Sequence, residues 1–188
     1  MIFNKNPNNW RDLENKVALI LKGVGFSVKT EHTIKTVRGS VNIDVYAVKD
    51  EPPPPIICLC ECKYWNKKVP QNVIHSFRSI VHDSGANIGY IISKNGFQKG
   101  AFETAKNSNI IIFSWDQFIN NFKDQWYRFQ ITKLFSIAEV IKDYTSDLPL
   151  RIITNELDKM PDGQIGKYYK LVKKYSSVRP GKVAYFSG

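Results

Sequence analysis

The chain has 188 residues, 43% of them hydrophobic and 23% charged, which is enough for one globular domain with an appendage. No apolar run approaches the roughly 18 residues that would span a bilayer, and the N-terminus lacks a basic-then-apolar signal, so we expect a cytoplasmic protein with no membrane partner. The formal charge of +10 favours a polyanionic partner, although many basic soluble proteins share this property.

The first predicted elements are a helix and two strands. Apolar residues at helical spacing predict a helix from about Asn9 to Lys22, and Glu14 falls on its apolar face. Alternating patterns then predict strands at residues 26–34 and 41–48, joined as a hairpin by a short turn. Asp44 is the only charged residue of the second strand, and it lies near its middle.

The third predicted strand, Ile56–Lys63, is an apolar run that ends in an acid and a base. Because side chains alternate across a strand, Glu61 and Lys63 share one face, and three cysteines at positions 58, 60 and 62 share the other. Ionisable groups at the end of a dry strand are costly unless they meet a partner or a metal. The outer cysteines lie about 13 Å apart along a strand, so small core hydrophobes are favoured over a zinc site.

The next elements alternate between helix and strand up to residue 122. This order predicts a mixed sheet covered on both faces, with crossover helices in its second half. The predicted elements are a helix from Gln71 to Ser84, a strand at 88–93, a helix at 98–106, a strand at 109–114 and a helix at 115–122.

The pattern changes after Lys123, where the remaining residues are predominantly helical in character. We predict a long helix at 126–144 and two further helices at 148–160 and 164–175. The predicted organisation is therefore a domain at residues 1–122 and a helical C-terminal extension at residues 123–188.

Asp44, Glu61 and Lys63 have the chemistry needed to hydrolyse a phosphodiester. Mg²⁺ prefers oxygen ligands and needs only one or two carboxylates from the protein, which Asp44 and Glu61 supply if their strands are neighbours. The backbone carbonyl of Cys62 is a third candidate oxygen, and Glu14 could complete the metal shell. Lys63 could orient the attacking water or help to deprotonate it. Mn²⁺ is expected to substitute for Mg²⁺.

This arrangement resembles the PD-(D/E)xK, or restriction-endonuclease-like, nuclease superfamily. The resemblance rests on Asp44, on Glu61-Cys-Lys63 and on the amphipathic helix that starts near Gln71. The flanking pattern is most similar to the Mrr-type branch, which would make Glu14 and the stretch 89–97 part of its signature; Ile43 departs from the proline of the superfamily name. The resemblance implies an α/β fold with a helix-flanked mixed sheet, Mg²⁺-dependent cleavage of DNA as an endonuclease, and a role in restriction or anti-phage defence.

Other interpretations of these residues remain open at this point. Asp44 and Glu61 could pair with Lys63 or Arg38 as a structural ion cluster, and Glu14 could be a boundary residue paired with Lys29 or another base. Five basic residues near the proposed site could hold the DNA backbone, or could equally form a solvated face: Lys67, Lys68, Arg78, Lys94 and Lys99.

The sequence also leaves open how the protein would act. Since one site of this kind cuts one strand, we expect a homodimer or a subunit of a larger defence complex. A Holliday-junction or repair nuclease with the same fold is one alternative. A non-catalytic DNA-binding subunit of a defence complex is the other, and it predicts salt-sensitive DNA binding without turnover.

Overall fold

A computed structural model describes residues 6–50, 53–145 and 170, with side chains described as far as residue 137 and at Lys170. The chain divides into two units, residues 1–130 and 131–188, and the functional candidates belong to the first. The elements, in chain order, are α1 (Trp10–Gly23), β1 (Ser27–Thr36), β2 (Gly39–Lys49), β3 (Ile56–Lys63), α2 (Gln71–Asp83), β4 (Ile88–Ser93), α3 (Lys99–Ala105), β5 (Ile110–Ser114) and α4 (Trp115–Thr145).

The strands form one mixed sheet in the order β1-β2-β3-β4-β5. The pairs β1–β2 and β2–β3 are antiparallel, whereas β3–β4 and β4–β5 are parallel. The helices α2 and α3 therefore serve as the crossover connections that parallel neighbours require. This architecture confirms the predicted mixed sheet flanked by helices.

Helix α1 begins as its sequence predicts, at an asparagine cap. The side chain of Asn9 accepts a 2.8 Å hydrogen bond from the backbone N–H of Asp12, which satisfies one of the free amides of the first turn. The apolar stripe that includes Leu13, Val17 and Leu21 is fully buried and attaches the helix to the sheet. Glu14 lies beside this stripe and is buried with it.

The sheet has an apolar core on each face. On one face, α1 and the first two turns of α4 pack against β2, β3 and β4, and Cys58, Cys60 and Cys62 lie in this core. On the other face, α2 and α3 cover residues that include Leu59 and Ile91. Burial raises the pKa of the Cys60 and Cys62 thiols, so these residues are neutral core side chains, as predicted.

One element differs from the prediction. Separate helices were expected at residues 115–122 and 126–144, but the structure has the single helix α4, Trp115–Thr145. No glycine or proline occurs between these two residues, and without such a breaker the helical hydrogen bonds continue through the polar residues 123–125. The predicted helices at 148–160 and 164–175 lie outside the described residues, except for Lys170, which is helical and exposed. The predicted domain boundary after residue 122 stays a prediction.

At Asp44, the buried side chains of strand β2 change from one core of the sheet to the other. Val41 and Ile43 pack with the α2 core, whereas Val45 and Ala47 pack with the α1 core. This change of core lets the outer half of the hairpin pack against α2, where the N–H of Val37 donates to the carbonyl of Asp83 at 3.2 Å.

None of the helices in the described part of the chain has the length and apolar character needed to cross a membrane.

Candidate active site

Asp44 lies where the hydrogen-bonded pairing of β2 and β3 ends. The ladder between these strands ends at the pair Val45 and Cys60, so the next pair, Asp44 and Glu61, is not joined by it. Instead, the Oδ2 atom of Asp44 accepts a 2.7 Å hydrogen bond from the backbone N–H of Cys62. The carboxylate of Asp44 is thereby fixed against the last residues of β3.

Glu61 and Lys63 lie together on the face of β3 opposite the cysteines, as strand alternation predicted. The Nζ atom of Lys63 donates to the Oε1 atom of Glu61, and the side chains are only 18% and 20% exposed, respectively. The ammonium of Lys63 also lies 5.2 Å from the ring centroid of Trp65, within the range of a cation–π contact. The acid and the base are thus held in place before any ligand binds.

Glu14 reaches the same neighbourhood from α1. Its side chain is 6% exposed, and its pKa is raised to about 7, first by burial and then by the negative charges of Asp44 and Glu31, with a smaller effect from Glu61. Burial, followed by the charge of Asp44, also raises the pKa of Glu61. Burial raises the pKa of Asp44 although its bond from Cys62 acts in the opposite direction.

These shifts show that the acids of α1, β2 and β3 are close enough to repel one another. The ammonium of Lys63 lowers the pKa of Glu61, but burial and the charge of Asp44 outweigh this effect. A divalent cation would relieve both the repulsion and the burial of the charged forms. The arrangement has the electrostatic character of a cation site.

The donor set fits a hard cation that keeps some of its water. Within residues 6–50, 53–145 and 170, no three or more His, Cys, Asp or Glu side chains form a group that could hold a metal ion by themselves. Mg²⁺ does not need such a cage, since one or two carboxylates, a backbone carbonyl and water commonly hold it. Asp44 and Glu61, beside the main chain of Cys62, provide oxygen atoms of that kind.

Glu31 is an acid of this neighbourhood that the sequence analysis missed. The register pairs on either side of it leave Glu31 opposite Asp44, and its backbone has a φ of 48°, which a residue with a side chain rarely adopts. Its carboxylate lies 3.4 Å from the guanidinium of Arg11, and its charge raises the pKa of both Glu14 and Asp44. Counting residues back from each side of the hairpin turn would have placed Glu31 across from Asp44.

The four predicted DNA-binding lysines follow the carboxyl ends of β3 and β4 along the chain. Lys67 and Lys68 are exposed after β3, Lys94 is exposed immediately after β4, and Lys99 is exposed at the start of α3. The Nζ atom of Lys94 lies 4.2 Å from the ring centroid of Tyr64. These lysines therefore share an edge of the sheet with Lys63.

Arg78 is not brought to that edge. It lies on α2 and lines a cavity of about 370 Å³ with Arg38, Asp83 and Asn109, at the end of the sheet where β4 and β5 begin. Arg38 reaches the cavity from the hairpin turn, and its Nε atom pairs with Oδ2 of Asp83 at 2.8 Å. Sequence proximity to the third strand could not show that α2 carries Arg78 back across the sheet.

The fold and these residues together define a class of protein. A five-stranded mixed sheet flanked by helices, with Asp44 beside a strand that ends in Glu61-Cys-Lys63, is the architecture of the restriction-endonuclease-like nucleases. A family model for the Mrr catalytic domain, described as a restriction endonuclease, matches residues 6–122. The chain belongs to this family, which confirms the resemblance stated from the sequence, and the family is one of nucleases.

The chain is similar to several solved structures. The crystal structure of a protein of unknown function, AF1548, aligns with a TM-score of 0.53 and 19% identity, over 90% of this chain and 98% of that one. The DNA modification-dependent restriction endonuclease AspBHI aligns with a TM-score of 0.38 and 12% identity, over 62% of this chain and 31% of that one. No curated protein sequence matches the chain. The similarity to AF1548 shows a shared fold.

Proposed function

We propose that this protein is a Mg²⁺-dependent DNA endonuclease that acts in restriction or in another form of defence against foreign DNA. The observation that carries the proposal is the hydrogen bond from Cys62 to Asp44, because it fixes Asp44 beside the strand end that bears Glu61 and Lys63. The net charge of +10 suits a DNA substrate.

Asp44, Glu61 and the backbone carbonyl of Cys62 would hold the cation, and Glu14 would complete or extend its shell. When bound, Mg²⁺ would neutralise charge on the scissile phosphate and make a bound water more acidic. The raised pKa values of Glu14 and Glu61 support this assignment, since buried acids that repel one another gain most from a bound cation. Mn²⁺ would bind the same oxygen ligands.

Lys63 would position the attacking water and the phosphate. Its ammonium is held between the carboxylate of Glu61 and the ring of Trp65, so its direction is set before DNA arrives. A lysine amine has three donor hydrogens, and the contact with Glu61 leaves others to bind a water or a phosphate oxygen. A group that is already oriented loses less entropy when the substrate binds.

Lys67, Lys68, Lys94 and Lys99 would bind phosphates on either side of the cut, because they share an edge of the sheet with Lys63. Arg78 lies at the opposite end and would contact a more distant phosphate. Cutting both strands of a duplex requires two such sites, so we also propose a homodimer or a subunit of a larger defence complex.

Cleavage of supercoiled plasmid tests the proposal. With Mg²⁺, the wild-type protein should nick or linearise the plasmid, whereas Asp44→Asn should not cut and Lys63→Met should cut at least about 100-fold more slowly. Asp124→Asn and Lys123→Met make the same chemical changes at exposed positions of α4 and should cut like the wild type.

Equal cutting by the wild type, Asp44→Asn and Lys63→Met would overturn the proposed site. Salt-sensitive DNA binding without cutting, under Mg²⁺ or Mn²⁺, would favour the non-catalytic DNA-binding subunit. Faster cutting of a four-way junction than of a linear duplex would favour the junction-resolving alternative.

A further inference from the structure

Arg11 lies on the α1 side of the candidate active site, a side that has no proposed DNA contact. It is in the first turn of α1, three positions before Glu14, so the two residues share a helix face. The four lysines proposed to bind phosphates follow β3 and β4, on the other side of Asp44 in the order of the strands. A DNA strand that crosses the site would also pass over the α1 side, where a cation would help to fix its backbone.

An acid of β1 holds the guanidinium of Arg11 at the level of Asp44. The Nη2 atom of Arg11 lies 3.4 Å from Oε1 of Glu31, and the strand register leaves Glu31 opposite Asp44. Glu31, Asp44 and Glu61 therefore lie on three neighbouring strands. Arg11 pairs with the acid at one end of this row, and Lys63 pairs with the acid at the other end.

The charge of Arg11 acts on the acids of the site. Burial is the main cause of the raised pKa of Glu14, the charges of Asp44 and Glu31 add to it, and the charge of Arg11 opposes it. The guanidinium is therefore close enough to the site for its field to be felt there. An anionic ligand that approaches the α1 side of the site would be attracted by the same field.

The side chain of Arg11 is directed by its neighbours and is still open to solvent. Its guanidinium carbon lies 4.9 Å from the ring centroid of Trp10, within the range of a cation–π contact. The side chain of Arg11 is 64% exposed and that of Glu31 is 53% exposed, so a ligand can reach the pair. A guanidinium has five donor hydrogens, and only one of its nitrogen atoms makes the contact with Glu31. The other donors suit the two-pronged contact that arginine makes with a phosphate.

The start of α1 is also attached to the strand that carries Lys63. The hydroxyl of Tyr64, the residue after Lys63, donates to the backbone carbonyl of Asn8 at 2.9 Å. This hydrogen bond and the buried stripe of α1 together set the position of the first helical turn relative to the end of β3. The placement of Arg11 relative to Lys63 therefore does not depend on the exposed ion pair alone.

We propose that Arg11 binds a backbone phosphate of the DNA on the α1 side of the candidate active site, across the row of acids from Lys63. This inference rests on the proposed function, because the phosphate would belong to a DNA strand that crosses the site. Trp10 and Glu31 would be positioning residues, since they direct the guanidinium before DNA arrives and so reduce the entropy lost on binding. The phosphate would replace Glu31 as the anion beside Arg11.

DNA binding over a range of salt concentrations tests the inference. The dissociation constant of a short linear duplex is measured in EDTA, where Mg²⁺-dependent cutting does not interfere. Arg11→Met should weaken binding about tenfold at low salt and should reduce the slope of log affinity against log salt by about 0.9, the value of one phosphate contact. Arg11→Lys keeps the charge without the two-pronged contact, so it should keep the slope and lose only part of the affinity.

Arg128→Met is the matched control, because it removes the same charge from an exposed position of α4. It should leave the slope and the affinity close to those of the wild type. Arg11→Met should melt like the wild type, since exposed ion pairs contribute little to stability. Equal slopes and affinities for Arg11→Met and Arg128→Met would overturn the inference.

Plasmid cutting with Mg²⁺ distinguishes a failure of this inference from a failure of the proposed function. A phosphate held equally in the ground state and the transition state affects binding alone, so Arg11→Met should raise KM about tenfold and leave kcat nearly unchanged. A lower kcat with an unchanged KM would count against this binding role. If the wild type cuts and Arg11→Met behaves like Arg128→Met, only this inference fails. If the wild type does not cut and the salt slope still falls in Arg11→Met, the phosphate contact stands and the proposed nuclease activity fails.

Discussion

The Oδ2 atom of Asp44 lies 2.7 Å from the backbone nitrogen of Cys62 and accepts a hydrogen bond from its N–H. This bond favours the charged form of the carboxylate, but burial outweighs it, and the pKa of Asp44 is raised overall. The bond therefore decides where the carboxylate lies and leaves its charge poorly compensated. A residue held in this way gains from a nearby cation.

Asp44→Asn should abolish cutting without lowering the stability of the fold. The amide can still accept from the N–H of Cys62 through its oxygen, but it removes a buried negative charge that repels Glu14 and Glu61. We expect melting at pH 8 in EDTA to be unchanged or higher, while cutting is lost. A clear drop in melting temperature together with lost cutting would instead indicate a structural ion cluster.

The pH dependence of stability should reflect the ionisation of Glu14. Its pKa is about 7 in the folded protein, above its usual value of 4.5, so the folded state keeps this proton longer than the unfolded state does. Stability in EDTA should therefore fall as pH rises from about 4.5 to 7, by at most about 3 kcal/mol for this group. The raised pKa values of Asp44 and Glu61 add to the fall in the same direction.

Glu14→Gln should remove the part of this pH dependence that comes from Glu14. Relative to the wild type, this variant should gain free energy of unfolding between pH 4.5 and pH 8, as measured by urea denaturation at each pH. Glu103→Gln, at a position 64% exposed, should show no such change. An equal slope in wild type and Glu14→Gln would mean that Glu14 is not the buried titrating acid.

Divalent ions should stabilise the protein more at high pH than at low pH. The carboxylates must be ionised to bind the cation, and their raised pKa values delay this ionisation until about pH 7 for Glu14. At 100 times the dissociation constant, Mg²⁺ or Mn²⁺ should add about 2.7 kcal/mol. Thermal melting at pH 8 and pH 5 measures the difference. A shift that persists in Asp44→Asn would place the ion elsewhere.

Gly89→Ala should weaken the core between α2 and the sheet. A Cβ at this position would lie 2.7 Å from both Ile110 Cδ1 and Val81 Cγ2, which are themselves packed. We expect a loss of about 1–3 kcal/mol in the free energy of unfolding. Gly100→Ala is the matched control, because its Cβ would meet the end of the flexible Gln71 side chain and alanine favours the helix α3. An unchanged stability for Gly89→Ala would contradict this packing.

Most element positions were predictable because local signals mark them. The strands Ile56–Lys63 and Ile88–Ser93 are short apolar runs between polar or turn residues, and the structure places them where the pattern does. Strand alternation also placed Glu61 and Lys63 on one face. The expected break before residue 126 was wrong because polar composition does not end a helix unless a breaker is present.

The local order of residues determined the strands, the helices and the pairing of Glu61 with Lys63 two positions later. These features depend on the period of the apolar residues and on neighbours in the sequence. Only the tertiary structure decided that Arg38 of the hairpin turn meets Asp83 and Arg78 at the far end of the sheet, and that Trp115 is buried beside Lys94. Those relationships depend on how far the hairpin twists and where each crossover returns. Packing of whole elements sets these distances, and no short stretch of the chain encodes them.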